Sequence, residues 1–135
     1  MNEERKHVLT ARYPVRWGDM DAYGHVNNTV YFRYCEQIRV EWVERLGFPV
    51  NPSEPSGAII VNADCTFHAP VTYPATIEVR MFVGQPGRAS LMTWYELYVE
   101  GDEQLYATGG AKLVWMDTAS GRSTALPAVV RAAAT

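Results

Sequence analysis

Thr29-Val30-Tyr31-Phe32-Arg33-Tyr34-Cys35-Glu36-Gln37-Ile38-Arg39-Val40-Glu41-Trp42-Val43-Glu44-Arg45-Leu46 is the stretch that decides the fold of this chain. Apart from Phe32 and Val40, its apolar residues are Val30, Tyr31, Tyr34, Cys35, Ile38, Trp42, Val43 and Leu46. Counted from Tyr31, they recur 3, 4, 7, 11 and 12 positions on, which is the period of an α-helix with one buried stripe. Asn27 or Asn28 can cap its start, and Gly47 followed by Pro49 can end it. Glu41 and Arg45 stand one turn apart and predict an ion pair on the outer face. So long a stripe needs a sheet to bury it.

Outward from this helix the pattern changes to a period of two. His7 to Trp17 reads as a first strand, with Pro14 pushing it toward a sheet edge or a bulge. Gly47 to Gly57, with three prolines, reads as a loop. From Ile59 to His68, Ile59, Val61, Ala63, Cys65 and Phe67 share one face, and Ile60, Asn62, Asp64, Thr66 and His68 the other. That alternation predicts a half-buried strand. Thr76 to Val83, Leu91 to Val99 and Leu105 to Met116 repeat it. Gly84 to Gly87 and Glu100 to Glu103 read as turns, the second closing a hairpin. Gly109 and Gly110 inside the last strand predict a bulge, a bend or a close backbone approach. Four strands in succession with short links predict an antiparallel sheet, and one helix must cover one of its faces. The class is α+β, with five strands and one long helix.

The chain has 135 residues, which fits one domain, 1–135, whose residues from about 118 form a polar and Ala-rich tail or a short terminal helix. It is 47% hydrophobic with a net charge of −3, so it can bury a core and carries no electrostatic footprint for nucleic acid. Its basic residues are ten Arg and two Lys, and they are dispersed. Cys35 and Cys65 read as small buried hydrophobes, although one disulfide is open to them. No apolar run suits a membrane span, and the charged Met1 to His7 segment leads into no apolar stretch like that of a signal peptide. Membrane partners are therefore not expected, and a reducing cytoplasm is the expected location.

Chemistry concentrates just before the helix, in Trp17-Gly18-Asp19-Met20-Asp21-Ala22-Tyr23-Gly24-His25-Val26-Asn27-Asn28. A helix start has free N–H groups and a partial positive charge. A carboxylate there can serve as base or nucleophile, and the N–H groups can hold an oxyanion. Caps and turns account for the same residue types, with Gly24 supplying an unusual φ. The spacing of Asp19, Asp21 and His25 matches no metal-binding pattern we know. There is no G-x-S-x-G elbow, no G-x-G-x-x-G and no P-loop.

Asp19-Met20-Asp21-Ala22-Tyr23-Gly24-His25-Val26-Asn27-Asn28, followed by Tyr31-Phe32 and Glu36, closely resembles the start of the hotdog-fold thioesterases. The branch is the 4-hydroxybenzoyl-CoA thioesterase-like family of acyl-CoA thioesterases. The resemblance runs on through Cys65-Thr66-Phe67-His68-Ala69-Pro70 and the last three strands. It implies a curved five-stranded antiparallel sheet wrapped around the helix. It also implies a homodimer in which the strand at about Gly57 to Phe67 pairs with its own copy, with dimers pairing into homotetramers in many members. The catalytic carboxylate then falls on Asp21, as base or nucleophile, and the carbonyl-polarising N–H on Asn28. Tyr23 stands where some relatives carry Asn, so His25 is a candidate either for orienting water or for a structural bond. Glu36 is a secondary catalytic candidate, because another branch uses a helix glutamate, while Asp19 reads as structural. Substrate contacts are expected from Tyr23 and Gly24, from Arg88 and Ser90 at the CoA phosphates, and from Asn62, with Thr66, reaching a partner's site. Tyr23, Tyr31, Tyr34 and Trp42 suit either a pocket for an aryl or short acyl group or plain core packing. The expected reaction is hydrolysis of an acyl-CoA thioester with no cofactor and no metal. Two alternatives stay open: a hotdog dehydratase or hydratase, for which His68-Ala69-Pro70 is the faint cue, and a non-catalytic acyl-thioester binding protein.

Overall fold

The protein is described by a computed structural model covering residues 4–135; the first three residues of the charged Met1 to His7 segment lie outside the described residues. In chain order there are β1 (Lys6–Pro14), a 3-10 turn (Trp17–Asp19), α1 (Asn28–Arg45), β2 (Ser56–Phe67), β3 (Thr76–Val83), β4 (Ser90–Val99), β5 (Leu105–Asp117) and α2 (Ala128–Ala134). The five strands form one antiparallel sheet in the order β1-β3-β4-β5-β2. β1, with Pro14 as its last residue, is an edge strand, as a chain element lacking a donor requires.

The helical stripe is buried as its spacing predicts: Tyr31, Tyr34, Cys35, Ile38, Trp42 and Val43 all face the sheet. They meet Ile77, Val79, Met81 and Val83 of β3, Leu91, Tyr95 and Leu97 of β4, and Leu113 and Trp115 of β5 in one core. Asn27 is the cap: its Oδ1 accepts from Thr29 N at 2.9 Å and from Thr29 Oγ1 at 2.7 Å. At the other end Gly47 takes φ +96°. Phe48 N donates to Val43 O at 3.3 Å and Gly47 N to Glu44 O at 3.0 Å, the paired bonds of a glycine-terminated helix. The expected Glu41–Arg45 pair is not made. Glu41 turns instead to the hydroxyl of Tyr13 on β1 and accepts from Gln37 at 3.3 Å, because its side of the helix is partly covered by the sheet.

β2 departs from its pattern. A bulge between Ile60 and Asn62 inserts Val61 as an unpaired residue, and an extra residue swaps the faces beyond it. Ile60 therefore lies on the helix side with Ala63 and Cys65, while Ile59 falls on the opposite face from the latter two. Nor is the strand half-buried: Ile59, Ile60, Val61 and Phe67 remain 38–53% exposed. The cause is its place at the sheet edge, with β5 on one side and no strand on the other.

The link from β2 to β3 is not a hairpin. Residues 68–75 cross the end of the sheet from one edge to the far side. Val71 within the crossing is buried, and its carbonyl accepts from Val26 N at 2.8 Å. Gly109 and Gly110 mark a close approach rather than a bulge, since β5 runs in register there. A Cβ on Gly110 would sit 3.2 Å from Met92 Cε. The Ala-rich end takes the helical alternative as α2, with Val130 and Ala134 buried in the core.

Candidate active site

The loop between β1 and α1 is held by its own backbone. Asp21 N donates to His25 O at 2.9 Å, Gly24 N donates to Asp21 O at 3.0 Å, and Asn27 N donates to Asp19 O at 2.9 Å. The tight turn needs a left-handed residue, and Gly24 provides it at φ +79°. Asp19 is a structural carboxylate: its Oδ2 accepts from Arg16 N at 2.8 Å and from the Tyr34 hydroxyl at 3.2 Å. Burial, and then the negative charge of Asp19, raise the Tyr34 hydroxyl well above the ordinary phenol range.

Asp21 is held differently. Its Oδ1 accepts from Tyr23 N at 2.9 Å, and its Oδ2 accepts from Asn27 Nδ2 at 3.3 Å. Each oxygen keeps a lone pair for a further donor. Asn27 therefore works twice, with Oδ1 capping α1 and Nδ2 fixing the carboxylate. Asp21 opens on a cleft of about 440 Å³ lined by Tyr23, His25, Asn28, Tyr31, Phe67 and His68 among others. Asn28 is the first residue of α1, where a backbone N–H has no intrahelical acceptor. No acceptor for it exists among the described residues. The cleft thus joins a carboxylate, an imidazole and the first residue of the helix. The far wall, Phe67 to Pro70, comes from the end of β2 and the start of the crossing segment, whose His68 N and Ala69 N both donate to Tyr106 O.

The other expected site residues lie elsewhere in the chain. Glu36 is two turns further along α1 and borders two grooves between α1 and β2, not the Asp21 cleft. One groove, of about 470 Å³, is lined by Val40, Val43, Phe48, Val50, Ile60 and Trp115, with Glu36 and Arg39 also bordering it. Glu36 makes one ion pair, with Arg33 at 4.0 Å. Asn62 is exposed on β2 opposite Lys112. Ser90 starts β4 and Arg88 lies in the turn just before it, near the strand ends remote from Phe67, and Arg88 donates to Ser123 Oγ at 3.3 Å. What the sequence did not disclose is the second role of Asn27 and the wall supplied by residues 67–70. The Asn-Asn pair was the available signal for the first. The second needed the topology. Among the described residues no cluster of His, Cys, Asp or Glu could hold a metal, and no helix is long and apolar enough to cross a membrane.

Residues 15–134 match the Thioesterase-like superfamily. Among solved structures, the PA2801 protein of Pseudomonas aeruginosa, a candidate thioesterase, is 42% identical, with 96% of this chain and 100% of that one covered and a TM-score of 0.92. BH1999, a gentisyl-coenzyme A thioesterase, is 25% identical over 94% of this chain and 100% of its own, with a TM-score of 0.82. The chloroplastic acyl-acyl carrier protein thioesterase ATL2 of Arabidopsis thaliana is 29% identical over 123 residues, 87% of this chain; the chain spans 63% of that protein's length. Curved sheet and central helix are those of the hotdog fold, and the matched family marks a thioester hydrolase. The chain belongs to the thioesterase-like superfamily.

Proposed function

We propose that the protein hydrolyses acyl-CoA thioesters in the cleft beside Asp21. One observation supports this most: a carboxylate anchored by two donors shares a cleft with Asn28, the first residue of α1. In the general-base route, Asp21 takes a proton from water and the oxygen adds to the thioester carbonyl. The oxyanion is held by the Asn28 N–H and the positive end of the helix. Collapse breaks the C–S bond, the CoA thiolate leaves and takes up a proton, and a carboxylic acid remains. In the nucleophilic route Asp21 itself adds, and water then cleaves the mixed anhydride. His25 orients the water or the thioester, while Tyr23 and Gly24 form the lip. Neither route needs a metal or cofactor.

The protein acts as a homodimer joined along β2, with a dimer of dimers as its larger form, in the cytoplasm. Antiparallel pairing of β2 with its copy sets the start of one strand beside the end of the other. It would carry Asn62, Arg88 and Ser90 of one protomer toward the Asp21 cleft of the next, where Arg88 and Ser90 meet the CoA phosphates. A second reading places the chemistry on Glu36. The observation favouring it is that, among the described residues, Glu36 is bound only by a long ion pair, whereas both Asp21 oxygens already brace their own loop.

The test is thiol release from short, medium and long acyl-CoAs, benzoyl-CoA and phenylacetyl-CoA. Turnover of any one is expected and ranks the acyl groups. Tight CoA-thioester binding without thiol release would overturn hydrolysis in favour of a binding protein. Hydration of an enoyl-CoA without thiol release would overturn it in favour of a hydratase.

A further inference from the structure

We propose that Cys35 and Cys65 form an oxidisable thiol pair that closes into a disulfide between α1 and β2 when the protein meets a peroxide. Both cysteines are reduced in the structure. Cys65 pairs directly with Gly109 across the β2–β5 ladder, and Cys35 approaches the same place from α1. A Cβ on Gly109 would lie 3.4 Å from each sulfur, so the two Sγ atoms converge on a spot left open by a glycine. Cys35 is buried, whereas Cys65 is partly exposed. Both border a small cavity of about 240 Å³ with Phe32, Arg39 and Tyr95, large enough to admit peroxide. The pair is unequal. The interaction between the thiols pulls Cys65 below the ordinary thiol value and pushes Cys35 above it, with burial adding to the rise.

The greater exposure of Cys65 sets the order of events. The thiolate attacks, not the thiol. Cys65 therefore attacks one peroxide oxygen; the O–O bond breaks, water leaves after protonation, and Cys65 becomes a sulfenic acid. Cys35 sulfur then attacks the Cys65 sulfur, loses its proton and expels a second water. Two thiols and one hydrogen peroxide give one disulfide and two waters, with two electrons passing from sulfur to oxygen. The bridge ties the central helix, one residue before Glu36, to the exposed edge strand. It uses no residue of the Asp21 cleft and stands whether or not the thioesterase reading holds.

The experiment treats the full native chain with a small excess of hydrogen peroxide, alkylates the remaining thiols and reads intact mass and peptide map. Expected are joint loss of both thiols, a mass lower by two hydrogens, a linked Cys35–Cys65 peptide, and reversal by dithiothreitol. Cys65→Ser should leave Cys35 reduced under the same treatment. The wild-type peptide map decides even if that variant folds poorly. Oxygen added to Cys65 with Cys35 still alkylated, a Cys65–Cys65 link between chains, or two untouched thiols would each overturn the proposal.

Discussion

Asn27→Ala removes three hydrogen bonds at the junction of loop and helix: two from Thr29 to Oδ1 and one from Nδ2 to Asp21. Losing the cap costs about 1 kcal/mol. A chain of 135 residues unfolds with an entropy of roughly 0.28 kcal/mol/K, so Tm falls by about 3–4 °C. Asp21 is then held by Tyr23 N alone, and kcat should fall about tenfold through lost positioning. Asn27→Asp separates the two effects. It keeps an acceptor for Thr29 and suits the helix dipole, so Tm stays near wild type. It also sets two carboxylates at hydrogen-bond distance, where one holds its proton to higher pH. The acid limb of the rate profile should move up accordingly. Calorimetry and thiol release measured across pH read the two effects apart. An unchanged Tm in the alanine variant refutes the cap, and an unchanged pH profile in the aspartate variant refutes Asn27 as the anchor of Asp21.

Three further outcomes are expected. Ile38→Ala, at the fully buried centre of the α1 stripe, should cost about 2–5 kcal/mol in urea unfolding; a loss below 1 kcal/mol by the same principle would mean the site relaxes. In sedimentation velocity the wild type should run as a dimer or tetramer and Val61→Arg as a 15.2 kDa monomer. Val61 is near the midpoint of Ser56–Phe67, where two copies would oppose like charges; a monomeric wild type would contradict pairing along β2. Glu78 is held below its ordinary 4.5 by its bond to Arg80, and then by the charges of Arg80 and Arg12. A depressed carboxylate stabilises the fold above 4.5, and that contribution fades as pH falls through the lower folded value. Glu78→Gln should flatten the wild-type loss of Tm in that acid window; equal slopes would show that the pairs are too screened to matter.

The helix and three of the strands were legible because each buries one face against a neighbour in the same chain. The spacing from Tyr31 to Val43, and the run Ile77, Val79, Met81 and Val83, report that burial directly. β2 was legible as a strand but not in its facing, since a bulge at Val61 leaves no mark in a two-residue alternation. Its exposure, too, depends on where it sits in the sheet. The crossing segment was hidden because link length does not say which edge the next strand joins. Asp21, Tyr23, His25 and Asn28 share a cleft because a local loop and a helix start place them, and local order is what sequence spacing encodes. Glu36, Asn62, Arg88 and Ser90 lie apart from that cleft, on elements that no local spacing relates to it.

The most direct test compares Asp21→Asn with Glu36→Gln in one thiol-release assay on the best substrate of the panel, with calorimetry confirming that both variants are folded. Asp21→Asn should lose about a thousandfold in kcat, and Glu36→Gln should stay within tenfold. The reverse ranking would contradict the account and move the catalytic carboxylate onto α1.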